Sequence, residues 1–165
     1  MKHLIIVEGV TDKGVIQKIA KKLETRVKIL LMDGNKPDKA IRLANAALAG
    51  EEYSKIIVLK DQHQHSENKI LQMLDKIVGS IEHSKTYPIM VRKAIEAWIL
   101  AGMGISNAES LDKPDEYLDR ILRKRDGEYI KSLSTAKKLI ENIDLQQACR
   151  NSPTLKQFIE VLKDP

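Results

Sequence analysis

Continuous apolar runs alternate with helical stripes along residues 1–102. Four runs have the length of buried strands: LIIV (4–7), VKILLMDG (27–34), KIIVLKD (55–61) and YPIMV (87–91). Between them, apolar residues recur at the spacing of an amphipathic helix, and Thr11, Pro37 and Ser66 stand where helices are expected to begin. A short helix is also predicted at 93–102. Apolar strands separated by helices are typical of a parallel sheet covered on both faces, so the pattern predicts a three-layer α/β/α, Rossmann-like fold with about four strands.

The strand pattern stops at residue 103. Short helices are predicted near 114–125, 134–143, 145–150 and 154–163, with starts at Asp112 and Pro114, Ser134, Asp144, and Ser152 with Pro153. No Gly/Ser/Pro-rich linker separates this part from the rest. We therefore predict one domain over 1–165, with an α/β core at 1–102 and a helical extension at 103–165 packed on it.

The composition narrows the class of protein. The chain is 42% hydrophobic and 31% charged, which is typical of a folded globular domain rather than a disordered one. Its single cysteine, Cys149, excludes an internal disulfide and a cysteine-based zinc site. No apolar run approaches the ~20 residues that span a bilayer. The first run ends at Glu8 and is too short and too acidic for a signal peptide, so we predict a cytoplasmic protein with no membrane partner.

The net charge of +5 and the pI of 9.2 mildly favour a polyanionic partner. A solvated lysine-rich surface explains the charge equally well, because the basic residues are spread along the chain. The charge by itself therefore does not decide between the two.

Acidic residues stand at the ends of three predicted strands. Glu8, Asp33 and Asp61 end the first three runs, and Asp12 follows in the next turn. In an open parallel sheet, ligands bind beyond the carboxyl ends of the strands. Asp33 and Asp61 are also common turn residues, and Asp12 suits a helix N-terminus, whereas Glu8 has no such structural explanation. Clustered carboxylates repel one another unless a cation lies between them, and Mg²⁺ prefers such oxygen ligands.

Five segments together resemble the TOPRIM (topoisomerase–primase) domain, in the form of small stand-alone proteins related to the OLD-family nucleases. The first two are IIVEGVTDKGVI, with its E-G-x-x-D pattern, and IIVLKDQH, which corresponds to the family's D-x-D motif. The others are VRKAIEAWILAG, GEYIKSL and SPTLKQFIEVL. The ordered set covers most of the chain and is more specific than E-G-x-x-D alone.

The resemblance implies roles for particular residues. Glu8 matches the family glutamate, a metal ligand or proton-transfer group. Asp12, Asp61 and Glu96 match further acids of the metal site, and Lys131 matches a basic residue near the scissile phosphate, with Lys93 as a weaker candidate. Without the resemblance, Glu96 would be interpreted as a solvated helical residue, Lys131 as one lysine among many, and Trp98 as a core residue.

His63 departs from the family pattern, since it replaces the second aspartate of D-x-D. Imidazole binds Mn²⁺ or Zn²⁺ but is a poor Mg²⁺ ligand. In an extended segment His65 would face the same way as His63, although two exposed loop histidines are an equally good interpretation. A softer metal, a single loosely bound metal and loss of catalysis all remain open.

The expected function is metal-dependent cleavage of phosphodiester bonds in DNA or RNA, with Mg²⁺ or Mn²⁺ as cofactor. The catalytic candidates are Glu8, Asp61 and Lys131, and the metal-ligand candidates are Glu8, Asp12, Asp61, His63 and Glu96. A run of basic residues could contact phosphates, although a charged helix face explains it as well: Arg120, Arg123, Lys124 and Arg125. The alternatives are a non-catalytic nucleic-acid-binding or assembly module, or a nuclease subunit whose ATPase is a separate chain. The oligomeric state stays open, a homo-oligomer included.

Overall fold

The structure, a computed structural model, describes residues 2–34 and 36–165. Four parallel strands form one sheet in the order β2-β1-β3-β4. They are β1 (His3–Val7), β2 (Val27–Leu31), β3 (Ile56–Asp61) and β4 (Thr86–Val91). Helices cover both faces, which confirms the predicted three-layer α/β fold.

Strand alternation builds a separate core on each face of the sheet. Leu4, Ile6, Ile56 and Val58 pack against the two helices α2 (Pro37–Gly50) and α3 (Glu67–Gly79). Ile5, Val7, Ile57 and Leu59 belong to the larger core on the other face, which contains Trp98 and Phe158 with ring centroids 5.5 Å apart. The core position predicted for Trp98 is confirmed.

Helices from both ends of the chain pack in the larger core. They are α1 (Val10–Lys22), α4 (Glu96–Gly102), α5 (Pro114–Arg123), α6 (Leu133–Glu141), α7 (Leu145–Asn151) and α8 (Pro153–Lys163). A short 3-10 helix spans Ala108–Ser110. Since α6 contacts α1, α7 contacts α4 and α8 contacts β4, the C-terminal helices pack on the α/β core.

Two wrongly predicted helix starts lie beside the sheet edge where ligands are expected. The first helix begins at Val10 with Gly9 as its cap, because the Asp12 carboxylate accepts a hydrogen bond from the Gly9 N–H at 3.0 Å and Thr11 lies inside the first turn. The fourth begins at Glu96 rather than residue 93, because Lys93 has a positive φ of 66° that a right-handed helix excludes.

The predicted start at Ser134 is also wrong, because Ser132 caps α6 by accepting a hydrogen bond from the Thr135 N–H. The remaining starts agree with the pattern. Ser66 caps α3 by accepting a hydrogen bond from the Lys69 N–H, and Pro37 lies at the first turn of α2. The second strand stops at Leu31, earlier than predicted, because Asp33 and Gly34 both turn with positive φ. Within residues 2–34 and 36–165, none of the helices combines the length and apolar character needed to cross a membrane.

Candidate functional site

A pocket of ≈ 300 Å³ opens at the carboxyl edge of the sheet. The ends of β1 and β3, the first turn of α1, the start of α4 and the loop before α6 form its walls. It collects all five predicted metal-ligand residues and one predicted basic residue: Glu8, Asp12, Asp61, His63, Glu96 and Lys131.

Strand order explains why Glu8 and Asp61 meet. Strands β1 and β3 are direct neighbours, with Ile6 paired to Val58. Glu8 directly follows β1 and Asp61 is the last residue of β3, so both lie at the carboxyl edge of neighbouring strands. One ligand atom from each of Glu8, Asp61 and His63 lies within 4.8 Å of the other two. This triad could hold a metal ion.

Both carboxylate oxygens of Glu8 have partners. The Lys60 ammonium donates to Oε1 at 2.6 Å, and the His63 Nε2 lies 3.1 Å from Oε2. Burial raises the pKa of Glu8, but the hydrogen bonds with His63 and Lys60 outweigh that effect, so its pKa lies below the ordinary value of 4.5. Glu8 is therefore ionised at neutral pH. The hydrogen bond between Glu8 and His63 also raises the pKa of the His63 imidazole.

The pKa values of Asp12 and Asp61 are shifted in the opposite direction from that of Glu8. Burial, reinforced by the charges of Glu8 and Glu96, raises the pKa of Asp12 to about 7. Burial and the charge of Asp12 also raise the pKa of Asp61 well above its ordinary value of 3.8, even though the Ile95 N–H donates to it at 3.3 Å. A divalent cation would oppose both shifts, because it favours the ionised carboxylates and offsets their mutual repulsion.

Glu96 is buried, contrary to its interpretation as a solvated helical residue. Its side chain is on the first turn of α4, with only 4% of its surface exposed. The Tyr129 hydroxyl donates to Glu96 Oε2 at 2.7 Å. Tyr129 was not among the predicted site residues. Its position inside GEYIKSL, two residues before Lys131, was the available signal.

Two residues beside the pocket have left-handed backbone conformations. His63 and Lys93 have φ values of 51° and 66°, and the His63 N–H donates to the Lys93 carbonyl at 2.7 Å. The Gln62 side-chain oxygen accepts the Lys93 N–H at 3.2 Å. The segment is thus a turn rather than an extended strand, because the His65 N–H donates to the Gln62 carbonyl. The alternation of an extended segment, on which the expectation for His65 depended, does not apply here, and His65 does not line the pocket.

The predicted basic residues separate into two groups. Lys131 lines the pocket and lies 3.2 Å from Asp115, and Lys93 lies 3.4 Å from Asp112 in an adjoining groove that Glu96 and Lys131 also line. The residues of the basic run lie elsewhere, at and after the end of α5: Arg120, Arg123, Lys124 and Arg125. Arg123 pairs with Asp119 at 2.8 Å, as on an ordinary charged helix face.

Asp33 also lies outside the pocket. It is exposed in a left-handed turn, and its carboxylate pairs with Lys39. These features agree with the structural interpretation of Asp33 as a turn residue.

Comparisons with known proteins give one match, and it concerns the fold. The C-terminal region of the Burkholderia pseudomallei OLD protein superposes on this chain with a TM-score of 0.56 at 13% identity, over 97% of this chain and 96% of that one. No family model matches the sequence, and no curated protein matches it. The chain therefore shares the fold of an OLD-protein C-terminal region.

Proposed function

We propose that the protein is a divalent-metal-dependent nuclease that cleaves phosphodiester bonds in DNA or RNA through a TOPRIM-type carboxylate site. The observation that supports this most directly is the cluster of Glu8, Asp61 and His63, whose ligand atoms lie within 4.8 Å of one another in a pocket at the carboxyl edge of the sheet. The shared fold with an OLD-protein C-terminal region is consistent with it.

The donor set fits Mg²⁺ or Mn²⁺. Carboxylate oxygens are the ligands that both ions prefer, and the imidazole of His63 favours Mn²⁺ over Mg²⁺. When bound, such an ion polarises a phosphoryl oxygen and lowers the pKa of a bound water. We propose Mg²⁺ or Mn²⁺ as the cofactor on this chemical ground.

The other pocket residues have supporting roles in this proposal. Asp12 and Glu96 add negative charge that attracts the cation, and the Tyr129 hydroxyl fixes the orientation of Glu96. Lys131 lies at the mouth of the same pocket, where its ammonium would neutralise charge on a phosphate. Lys93, in the adjoining groove, could extend this contact along the nucleic-acid backbone.

A cleavage assay on mixed DNA and RNA with Mg²⁺ or Mn²⁺ tests the proposal. Glu8→Gln and Asp61→Asn each remove one ligand charge with little change of shape, so each should lower the cleavage rate by at least about 100-fold. The matched control is Asp33→Asn, which removes an exposed carboxylate of the same sheet edge and should cleave like the wild type. Full activity of the Glu8 variant would contradict the proposal.

The metal preference tests the role of His63. Replacing His63 with Asp supplies a hard oxygen in place of a nitrogen, so activity with Mg²⁺ should rise relative to activity with Mn²⁺. The control is His65→Asp, since His65 does not line the pocket and its replacement should leave the ratio unchanged. An unchanged ratio for His63→Asp would show that the His63 imidazole does not bind the metal.

A non-catalytic nucleic-acid-binding or assembly module is the second candidate. It is favoured by the two internal partners of Glu8, because Lys60 and His63 already neutralise that carboxylate. A separate ATPase chain, or a second copy of this chain, would be the partner in an assembly role. Binding of labelled DNA or RNA without cleavage in either metal would support this candidate, and a pull-down would identify an ATPase.

A further inference from the structure

A buried lysine lies inside the carboxylate site. Lys60 is on β3, only 2% of its surface is exposed, and its ammonium lies 2.6 Å from Glu8 Oε1. Lysine is almost never fully buried unless it is paired. The contact is therefore a specific ion pair within the candidate metal site rather than a surface contact.

The sheet register explains this pairing. Leu4, Ile5 and Ile6 of β1 pair with Ile56, Ile57 and Val58 of β3, and continuing the register by two residues sets Glu8 beside Lys60. Asp61 is the next residue, so it points to the opposite face of the sheet, toward α1 and α4. Glu8 thus has a cation on one side and the metal-ligand candidates Asp61 and His63 on the other.

The two oxygens of Glu8 therefore differ. Oε2 lies beside His63 Nε2, at 3.1 Å, and that nitrogen lies 3.9 Å from Asp61 Oδ2, so Oε2 belongs to the ligand triad. Oε1 is held by the ammonium. In its commonest bridging mode a carboxylate binds two metal ions with one oxygen each, and here Oε1 is already bonded to a positive charge on the neighbouring strand.

We propose that the Lys60 ammonium takes the position of a second cation on Glu8, so that the pocket holds one divalent ion per chain. This inference rests on the proposed metal site but goes beyond it, since it specifies the number of ions and the residue that sets it. Replacing Lys60 by a neutral side chain frees Oε1 and makes the pocket more negative by one charge. In such a Lys60 variant, the free Oε1 atom and the added negative charge allow a second ion to bind.

Counting bound Mn²⁺ tests the inference without any activity measurement. Free Mn²⁺ is measured by electron paramagnetic resonance while the purified full chain is titrated to millimolar metal. The wild type should bind one Mn²⁺, and Lys60→Met should bind two. Methionine approximates the length of the lysine stem and removes only the charged end.

A matched control separates the charge of Lys60 from its burial. Lys55, just before the same strand, is also 2% exposed, but its ammonium donates to the carbonyls of Val161 and Asp164 at the opposite end of the sheet. Lys55→Met removes an equally buried lysine that lies far from the pocket and should still bind one Mn²⁺. Circular dichroism establishes that each variant is folded, and Lys60→Gln replaces Lys60→Met if the latter is not.

The outcomes are distinct. Two ions on the wild type would overturn the inference while supporting a metal site. One ion on both the wild type and the folded Lys60 variants would also overturn it, again without affecting the proposed function. No ion on the wild type would overturn the one-ion count and the metal-dependent function together.

Discussion

The buried carboxyl groups of the pocket differ in what compensates their charge. Glu8 has Lys60 and His63 within hydrogen-bonding distance, and its pKa is lowered. Asp12 has the Gly9 N–H and the negative charges of Glu8 and Glu96, and burial together with those charges raises its pKa to about 7. In the metal-free protein, the ionisation of Asp12 therefore opposes folding near neutral pH.

We expect Asp12→Asn to stabilise the metal-free protein at pH 8. The folded state binds the Asp12 proton more tightly than the unfolded state, so stability falls as pH rises from the ordinary pKa of 3.8 toward 7. Asparagine keeps the acceptor for the Gly9 N–H without the charge. The gain should be on the order of 1–3 kcal/mol at pH 8 and smaller at pH 5.

Urea unfolding in EDTA at pH 8 and pH 5 measures this difference. The Asp33→Asn variant is the control, because its exposed carboxylate is paired with Lys39 and has a lowered pKa. A loss of stability in Asp12→Asn at pH 8 would show that the ionised carboxylate is a structural partner instead.

At the scale of elements, the contact between α1 and α6 closes one side of the pocket. A Cβ placed on Gly14 of α1 would lie 2.6 Å from the Leu133 carbonyl oxygen and 3.0 Å from the Ala136 Cβ. Helix α1 contains Asp12, and Lys131 immediately precedes the Ser132 cap of α6. The absence of a side chain at Gly14 therefore lets the two elements that supply these groups approach closely.

Gly14→Ala should destabilise the protein by about 1–3 kcal/mol, because the backbone of α6 has to move away and the overpacking exceeds the small gain in helix propensity. The control is Gly79→Ala in α3, where an added Cβ meets nothing within 4 Å. That change should be neutral or stabilising by up to about 1 kcal/mol. Thermal unfolding of both variants measures the difference, and equal stabilities would contradict the close approach.

At the scale of the whole molecule, a basic protein surrounds an acidic pocket. The chain has a net charge of +5, while four carboxyl residues lie 4–8% exposed in the pocket: Glu8, Asp12, Asp61 and Glu96. A cation bound among them relieves their repulsion in the folded state and not in the unfolded chain. Metal binding should therefore appear as a gain in global stability.

We expect Mn²⁺ at about 100 times its dissociation constant to stabilise the wild type by roughly 2.7 kcal/mol. For a chain of this size that is on the order of 5–10 °C in melting temperature. Glu8→Gln and Asp61→Asn should lose most of the shift, and Asp33→Asn should keep it. Calorimetric scans with EDTA and with Mn²⁺ measure it, and an identical response of all four proteins would place the metal elsewhere.

The sequence by itself determined the class of fold and the edge at which the acids collect. Apolar runs separated by helical stripes require a parallel sheet, and residues that follow such runs emerge at one edge. Glu8, Asp12 and Asp61 could be predicted as candidates on that ground, and the family resemblance added Glu96 and Lys131. These inferences need only the order of residues along the chain.

Only the tertiary structure decided which side chains are partners. The pairing of Lys60 with Glu8 depends on β1 and β3 being neighbours in a particular register, and hydrophobic alternation specifies the face of a strand but not its neighbour or register. The burial of Glu96 depends on packing between distant segments, since its partner Tyr129 lies in the loop before α6. The left-handed backbone at His63 depends on its hydrogen bond to Lys93, which follows the next strand.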